Sequence, residues 1–416
     1  MVERVYLIKD PYICEVMIAS IIAHRLSSDP AWIVIVGSSG SGKTEFINCI
    51  SACDAVHSLS AITTNTFISG QKNTGKETSL LLKIKDKDNL PRGIITFKDM
   101  TSLLSEKKEN RDVIMGQLRE IYDGKYSKVF GTGETIELNG KITVIAGATH
   151  IIHTMRQEYA AMGERFLLYE MIQPDGKMAA RKAMKNQEDG LMQEKRGVLA
   201  AAFRKAIDEE LEIPDDFPPM DEKIITEVID LAEMTTRARS DVQRNWRSPK
   251  QEIINISPPE MPTRFSGALQ AMAKALMVLG YNERGLVELL DRHKPILAKL
   301  ALDSIPKNRR TTMQELSKYE VLETAGLAIK LNLPTSTVKI WIEDLVALGI
   351  AQREKGSGSK GDRWNILPEY KKLVQAFEGI KSEGKELTEA DMELEAGPAE
   401  GMENSELKSM KLPDFE

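Results

Sequence analysis

The sequence has few of the features that mark a secreted or membrane-embedded protein. Its 416 residues include three cysteines, Cys14, Cys49 and Cys53, too few for a disulfide framework, which fits a reducing compartment. The longest apolar run, 13–23, contains Glu15 and is too short to cross a bilayer. The N-terminus has neither a cleavable signal pattern nor a cationic presequence. We therefore expect a cytoplasmic protein that has no membrane partner.

Several catalytic signatures are also absent. The sequence contains neither a G-x-S-x-G nucleophile elbow nor a zinc-protease motif. His150 and His153 form an H-x-x-H pair, but no carboxylate or cysteine stands at metal-ligand spacing from them. A metal site at this pair is therefore not predicted.

The net charge of −6 is distributed unevenly along the chain. Residues 381–416 contain eleven acidic and four basic side chains, which leaves the rest of the chain near neutral. Residues 307–372 contain twelve basic and eight acidic side chains. This asymmetry is compatible with a nucleic-acid-binding module followed by an acidic tail, and we predict that 371–416 is disordered.

One stretch combines an apolar run, a glycine-rich loop and a helical pattern. Residues 32–36 read WIVIV and 37–44 read GSSGSGKT, which is the full G-x-x-x-x-G-K-[ST] pattern in its strand–loop–helix context. Glycines let successive backbone N–H groups face one anion at a helix N-terminus. Lys43 is expected at the β/γ-phosphates and Thr44 on Mg²⁺, so the sequence predicts ATP binding. The predicted phosphate-binding residues are Gly37, Ser38, Ser39, Gly40, Ser41, Gly42, Lys43 and Thr44.

Two further strand-like runs end in polar residues. The run 93–98 is followed by Asp99, and the apolar run 141–148 is followed by Thr149. We call the glycine-rich loop, residues 37–44, the phosphate loop. An acid opposite it is needed to hold Mg²⁺ or the attacking water, which gives Asp99 its predicted role. Because strands alternate with helices in this region, we predict an α/β fold with a parallel, three-layer αβα core.

A β-hairpin is predicted between these two strands. Two short alternating runs flank a glycine turn within 124–138. Its Lys125 and Lys128 are candidate contacts to a DNA backbone. The alternative is that both are ordinary solvated lysines near a turn.

Residues 308–368 have the pattern of a helix-turn-helix followed by a two-stranded wing. Helices predicted at 322–331 and 335–348 precede two strands around a glycine-rich turn. The second helix would enter the major groove of DNA, and the wing would lie near phosphates. The DNA-contact candidates in this unit are Ser336, Lys339, Arg353, Lys360 and Arg363. A winged helix used only for protein contacts is the alternative, because Glu343 and Asp344 lie on the same helix.

These patterns divide the chain into five predicted parts. A polar, helical stretch rich in Lys, Arg and Glu begins near residue 174, and a Ser-Ile-Pro hinge follows at 304–306. The parts are an N-terminal helical cap (1–30), a nucleotide-binding core (31–172), a helical insertion and lid (173–303), a winged-helix domain (304–370) and an acidic tail (371–416).

The predicted core resembles the AAA+ ATPases, in particular the clade with a hairpin before the sensor 1 strand. Residues 138–149 are similar to the hairpin exit and sensor 1 strand of minichromosome maintenance (MCM) helicases, with Thr149 at the polar position. Residues 163–166 (GERF) resemble the segment of the trans-acting arginine finger, and 262–265 (PTRF) resemble the start of the lid helix that carries sensor 2. The resemblance implies a catalytic set of Lys43, Asp99, Thr149, Arg165 and Arg264, with Arg181 and Arg237 as alternatives for sensor 2.

The sequence departs from this family at the acidic position. Asp99 is followed by Met100 instead of a glutamate, so Asp99 either holds Mg²⁺ or polarises water. A slow ATPase, or an assembly gated mainly by ATP binding, is therefore compatible with the sequence.

Three functions are compatible with these features. The first is a ring-forming DNA helicase or translocase, because 65–70 and 118–124 also resemble AAA ATPases encoded by phages and mobile elements that replicate DNA. The second is an ATP-gated DNA-binding switch, such as a helicase loader or a regulator of transcription or transposition. The third is a remodeler whose winged helix contacts protein. The expected partners are DNA, further copies of the chain and replication proteins.

Overall fold

A five-stranded parallel sheet lies at the centre of the N-terminal half of the protein. The computed structural model describes residues 9–69, 79–84, 91–129, 135–153, 165–188, 192–215, 217–245, 247–248, 251–356 and 361–376. The strands of this half are β1 (Trp32–Val36), β2 (Val56–Leu59), β3 (Arg92–Phe97), β4 (Lys125–Val129), β5 (Thr135–Asn139), β6 (Lys141–Ala148) and β7 (Phe166–Glu170). The sheet has the order β2-β3-β6-β1-β7 with all neighbours parallel, and β4 and β5 form the predicted antiparallel hairpin.

Helices surround the sheet and build most of the remaining chain. In chain order they are α1 (Ile13–Arg25), α2 (Lys43–Ile50), α3 (Leu80–Lys83), α4 (Met100–Leu104), α5 (Lys108–Tyr122), α6 (Gly176–Glu188), α7 (Met192–Arg204), α8 (Glu222–Ala238), α9 (Thr263–Arg284), α10 (Lys294–Asp303), α11 (Lys307–Ser317), α12 (Thr324–Leu331), α13 (Thr335–Ala347) and α14 (Pro368–Gln375). Within the ranges given above, no helix combines the length and the apolar composition that crossing a membrane requires.

Strand β1 shows that the sheet is covered on both faces. All five of its side chains are buried. Ile33 and Ile35 belong to a cluster with α1 and α2, whereas Trp32, Val34 and Val36 belong to a second cluster with α5. A strand buried on both faces requires a continuous apolar run, which this strand provides. The predicted α/β class with helices on both faces of a parallel sheet is thereby confirmed, and it is compatible with a P-loop-like core.

The parallel arrangement gives the sheet two different edges. The carboxyl ends of β3, β6 and β7 carry Asp99, Thr149 and Glu170, and the carboxyl end of β1 leads into the glycine-rich loop. We call this the carboxyl edge. The amino edge, at the opposite ends of the strands, begins with Trp32 in β1 and has Arg165 directly before β7. At about 3.3 Å per residue, the edges lie about 13 Å apart along β1.

Helix α10 covers the outer side of β7. The hydroxyl of Ser304 accepts a hydrogen bond from the backbone N–H of Leu168 at 3.0 Å. The carboxylate of Asp303 accepts one from the backbone N–H of Glu170 at 2.8 Å. These two bonds hold the helical region against the strand that neighbours β1.

The C-terminal part of the chain combines α11–α14 with a small antiparallel sheet. Its strands are β10 (Leu322–Glu323), β11 (Ala351–Glu354) and β12 (Arg363–Ile366), in the order β10-β12-β11. Trp364 on β12 is fully buried, and its indole N–H donates to the hydroxyl of Thr324 at 2.7 Å. A separate hairpin of β8 (Val242–Arg244) and β9 (Ile253–Ile256) precedes this unit in the chain.

Helix α1 is anchored on the sheet by polar contacts at its C-terminal end. The ammonium of Lys141 donates to the backbone carbonyls of Ala23 and Leu26 at 2.9 and 2.7 Å. The ring Nδ1 of His24 lies 3.0 Å from the hydroxyl of Thr143 on β6. His24 is 2% exposed, so its imidazole must remain uncharged among neighbouring cations.

This environment predicts loss of stability in acid. Burial, followed by the charges of Lys141, Arg92 and Arg25, lowers the pKa of His24 from 6.5 to about 3. The unfolded chain takes up this proton at a higher pH than the folded chain does. The free energy of unfolding therefore falls between about pH 6.5 and 3, by up to ~1.4 kcal/mol per pH unit. In urea titrations at several pH values, His24→Gln should lose less stability than wild type on acidification. Equal slopes would contradict this assignment.

Candidate nucleotide-binding site

The glycine-rich loop between β1 and α2 has the backbone conformation that its sequence requires. Gly40 and Gly42 have φ values of 78° and 90°, which glycine adopts far more readily than other residues. The backbone N–H of Gly37 donates to the carbonyl of Ala148 at 3.1 Å, so the loop is tied to the end of β6. Helix α2 starts at Lys43, and its first turn faces the loop.

Lys43 lies inside this loop. Its ammonium donates to the backbone carbonyls of Gly37 and Ser38 at 2.8 and 2.6 Å. Burial lowers the pKa of Lys43 below its usual range, and the charge of Asp99 acts in the opposite direction. Thr44 is exposed in the first turn of α2. Phosphate oxygens can therefore replace the two carbonyls as partners of Lys43, with the Thr44 hydroxyl accessible beside them.

Asp99 and Thr149 are linked through a third residue at the carboxyl edge. Asp99 caps the N-terminus of α4 by accepting a hydrogen bond from the backbone N–H of Thr101 at 2.9 Å. The hydroxyl of Thr101 in turn accepts from the backbone N–H of Thr149 at 3.1 Å. Because the exposed Asp99 also acts electrostatically on Lys43, the structure brings Lys43, Asp99 and Thr149 to one side of the sheet.

Glu170 forms a second polar cluster at the carboxyl edge, which the sequence did not predict. Its Oε1 lies 3.4 Å from Nδ1 of His150 and 3.9 Å from the ammonium of Lys307. Its Oε2 lies 3.9 Å from Nε2 of His153 and pairs with Arg310. Burial raises the pKa of Glu170, but Arg310, His153 and Lys307 outweigh it and hold the pKa at about 2. Glu170 ends a buried strand, as the predicted acid Asp99 does, so the same strand-end signal was available for it in the sequence.

The same cluster extends into a buried ionic network that joins the sheet to the C-terminal part. The carboxylate of Asp303 accepts from Lys299 and from Arg310, both at 2.7 Å. Lys299 also donates to the backbone carbonyl of Glu170 at 2.5 Å. Lys299, Asp303 and Arg310 are all buried. No local pattern marks Arg310, because its role depends on where α11 packs.

Arg165, the predicted arginine finger, lies at the amino edge. It is buried, and its guanidinium donates to both carboxylate oxygens of Asp123 at 2.9 and 3.1 Å. It also lies 5.4 Å from the centre of the Tyr122 ring. Gly163 and Glu164 of the same predicted segment are outside the described residues. Arg165 is thus remote from the phosphate loop of its own chain.

Arg264 lies at the amino edge as well. Arg264 lies close enough to Tyr122 for its charge to act on that ring. Burial and Asp29 raise the pKa of Tyr122 to about 12, and the charges of Arg165 and Arg264 oppose this rise. Tyr122 packs edge-on against Trp32 at the first residue of β1, with 5.2 Å between ring centres. The exposed Arg264 therefore lies at the end of the sheet opposite its own chain's phosphate loop. Its catalytic role stays a prediction.

Arg181 and Arg237, the alternative candidates for sensor 2, lie in different parts of the protein. Arg237 pairs with Glu233 at 2.8 Å, and its guanidinium approaches Gly349 of the C-terminal part. Arg237 therefore lies near the C-terminal part, and its sensor role stays a prediction. Arg181 is exposed on α6.

The hairpin lysines predicted to contact DNA differ in their environments. Lys125 is exposed at the start of β4. The ammonium of Lys128 donates to the backbone carbonyl of Ile68 at 3.0 Å. The turn at 130–134 is outside the described residues. Lys125 is therefore the more accessible of the two candidates.

The C-terminal candidates lie on an exposed face. Ser336 and Lys339 are exposed in the first half of α13. Arg353 and Arg363 are exposed on neighbouring strands, where Arg353 pairs with Asp362 and the guanidinium of Arg363 lies 3.6 Å from Glu354. Lys360 is outside the described residues.

The two acids on α13, Glu343 and Asp344, both contact an arginine of the preceding hairpin. Arg244 of β8 donates to the carboxylate of Asp344 at 2.9 Å and to the carbonyl of Ile340 at 3.1 Å. Its guanidinium also lies 3.5 Å from the carboxylate of Glu343. Asp344 thus neutralises a buried arginine of the preceding hairpin, whereas Glu343 also lies 3.9 Å from the ammonium of Lys339 and places negative charge beside that DNA-contact candidate.

Comparison with known proteins does not assign a function to this site. No known family matches the chain, and no curated protein is significantly similar to it. The AAA+ resemblance therefore stays a prediction that depends on the motifs and their positions in the fold.

Proposed function

We propose that this protein binds ATP with Mg²⁺ and hydrolyses it at the carboxyl edge of the sheet. The observation that carries this proposal is the convergence of Lys43, Asp99 and Thr149 around a preformed glycine-rich loop. The loop N–H groups and Lys43 would bind the phosphates, and the Thr44 hydroxyl and the Asp99 carboxylate are oxygen ligands of the kind that Mg²⁺ prefers. Bound Mg²⁺ would neutralise the charge that develops on the phosphates.

The positions of two arginines support hydrolysis between neighbouring chains. Arg165 and Arg264 lie together at the amino edge, far from their own phosphate loop. In a ring or filament, this edge would face the carboxyl edge of the next chain. An arginine supplied in trans stabilises the transferring phosphoryl group and is worth ~10³–10⁵ in rate. We therefore propose a homo-oligomeric AAA+ assembly.

We propose further that the assembly acts on DNA as a helicase or translocase for phage or mobile-element replication. Helices α12 and α13 with strands β11 and β12 would serve as the winged helix-turn-helix that the sequence predicts. The exposed Ser336 and Lys339 would face the major groove, and Arg353 and Arg363 would approach phosphates. Lys125 on the hairpin would contact the strand inside a ring.

A second candidate function is an ATP-gated DNA-binding switch. The specific observation that favours it is the buried network in which Glu170, beside the phosphate loop, contacts Arg310 on the first helix of the C-terminal part. Such a network can transmit the state of the nucleotide site to the DNA-binding unit. The lack of a glutamate after Asp99 is compatible with slow turnover in this case.

Steady-state ATP turnover with and without single- and double-stranded DNA tests the motor. We expect DNA to raise turnover several-fold. Lys43→Ala and Arg165→Ala should each reduce it to background, because the first removes the phosphate contact and the second the contact across chains. A mixture of the two variants should regain activity, since some interfaces then combine an intact loop with an intact arginine.

The turnover test has a control variant and two outcomes that would contradict the motor. Arg204→Ala removes an exposed arginine paired with Asp54 and should leave turnover unchanged. Circular dichroism checks that Arg165→Ala still folds. Slow turnover without DNA stimulation, together with ATP-dependent binding to duplex DNA, would favour the switch instead. Turnover that DNA does not change, with no DNA binding at all, would contradict both functions.

A further inference from the structure

Three side chains meet at the carboxyl edge that the proposed ATP cycle does not use. His150 and His153 lie on one short helical turn directly after Thr149, and Glu170 is the last residue of β7. Each offers one potential ligand atom, and the three atoms lie within 4.8 Å of one another. Because β1 lies between β6 and β7, the three meet across the end of the strand that leads into the phosphate loop.

The separations between these atoms fit a shared cation better than hydrogen bonds. His150 Nδ1 and Glu170 Oε1 are 3.4 Å apart, and His153 Nε2 and Glu170 Oε2 are 3.9 Å apart. Nitrogen–oxygen hydrogen bonds are normally about 2.7–3.2 Å long. Ligand atoms about 2.0–2.1 Å from a tetrahedral zinc ion are about 3.3–3.4 Å from one another. The 3.4 Å separation already has this value, and small rotations of the side chains would shorten the others.

The burial of His150 Nδ1 supports the same interpretation. This atom is inaccessible to solvent and makes no hydrogen bond to any of the described residues. Leaving a buried polar atom without a partner costs about 1–3 kcal/mol. A cation bound between Nδ1 and the Glu170 carboxylate would remove that cost by giving Nδ1 a partner.

The ligand types are those of a zinc-class site. Two imidazoles and one carboxylate suit zinc and other borderline divalent ions, whereas Mg²⁺ prefers oxygen ligands alone.

We propose that His150, His153 and Glu170 bind a divalent transition-metal ion of the zinc class, with a fourth position open to solvent. The side chains of these residues are 34%, 10% and 16% exposed, so an ion can enter and a water can complete the coordination. Arg310 holds Oε2 of Glu170, which is a usual contact for a metal-bound carboxylate.

Lys307 gives the proposal a distinctive consequence. Its ammonium lies 3.9 Å from Oε1 of Glu170, the oxygen that also faces His150, and its side chain is 55% exposed. Lys307 therefore competes with a metal ion for this oxygen but can move away into solvent. Removing its charge should strengthen metal binding, an effect that a purely structural cluster of ion pairs would not produce.

Cobalt titration of the full chain tests the proposal. The chain is purified with a tag that contains no histidine, stripped of metal, and titrated with Co²⁺ without nucleotide or Mg²⁺, while visible absorbance is recorded. We expect one equivalent to bind with the intense absorption of a four-coordinate ion, and Zn²⁺ to displace it. His150→Ala and His153→Ala should each weaken binding at least ~10-fold, and Lys307→Ala should strengthen it several-fold.

Two controls separate this site from other sources of binding. His57→Ala removes a partly buried histidine on β2 and should leave the titration unchanged. ATP affinity is measured on the same variants by calorimetry without added Co²⁺, so a failure of ATP binding and a failure of metal binding are distinguishable. Absence of Co²⁺ uptake by the folded wild-type chain, or uptake that survives both His150→Ala and His153→Ala, would overturn the proposal.

Discussion

Lys43→Ala is expected to weaken ATP binding at least ~100-fold and to abolish hydrolysis. The Lys43 ammonium is buried in the loop between the carbonyls of Gly37 and Ser38, where phosphate oxygens would take their place. Losing one partner of a buried, charged hydrogen bond costs about 2–5 kcal/mol in binding. The loop N–H groups alone cannot replace that charge. Titration calorimetry with a slowly hydrolysed ATP analogue measures the change directly.

Two further variants make this result specific to the loop. Lys223→Ala removes an exposed lysine in the first turn of α8 and should leave the affinity unchanged. Lys43→Arg keeps the charge but should bind weakly, because the larger guanidinium does not fit between the two carbonyls. If Lys43→Ala binds within threefold of wild type, the phosphate site is elsewhere.

The second large effect is on stability. Arg310→Ala should lower the free energy of unfolding by about 3–5 kcal/mol, because it removes the buried cation that pairs with the carboxylates of both Asp303 and Glu170. Arg310 is 6% exposed and pairs with both Glu170 and Asp303. The remaining cation, Lys299, already donates to Asp303 and to the carbonyl of Glu170. Urea unfolding of the full chain, followed by tryptophan fluorescence and circular dichroism, measures the loss.

A matched control comes from an exposed ion pair in the same helical region. Lys318 and Glu315 are 2.8 Å apart, and Lys318 is largely exposed. Lys318→Ala should therefore change stability by less than ~1 kcal/mol. A loss in Arg310→Ala that does not exceed this control would show that the buried network contributes no net stability.

The sequence predicts the sheet well because the signals for it are local. The continuous apolar runs at 32–36 and 141–148 became strands buried on both faces, and the glycine-rich loop follows the first of them. Strands β4 and β5 pair as the expected hairpin requires. Each of these features depends on residues that are close together in the chain, so composition and spacing identify them.

The helix predicted at 322–331 shows a limit of local reasoning. The structure starts α12 at Thr324 and places Leu322–Glu323 in a short strand. Leu322 pairs with Trp364, which is 42 positions away in the sequence. A strand partner at that distance outweighs the helical propensity of two residues.

The polar cluster that the sequence missed depends on the same kind of long-range contact. Glu170, Arg310 and the two histidines come together only because β6, β7 and α11 pack against each other. For Arg264 the motif marks the start of α9, but the packing of that helix against α1 and Asp29 carries its first turn to the amino edge. Motifs thus identify a residue's chemistry, whereas its neighbours are set by tertiary structure.

The two side-chain bonds from α10 to β7 also determine how the protein can associate. An outermost strand usually presents unpaired backbone N–H groups, and another extended chain can add to them. In β7 the N–H groups of Leu168 and Glu170 are already occupied by Ser304 and Asp303. The sheet is therefore closed to strand addition on this side, which opposes fibrillar growth. Copies of the chain that associate here must do so through side-chain surfaces.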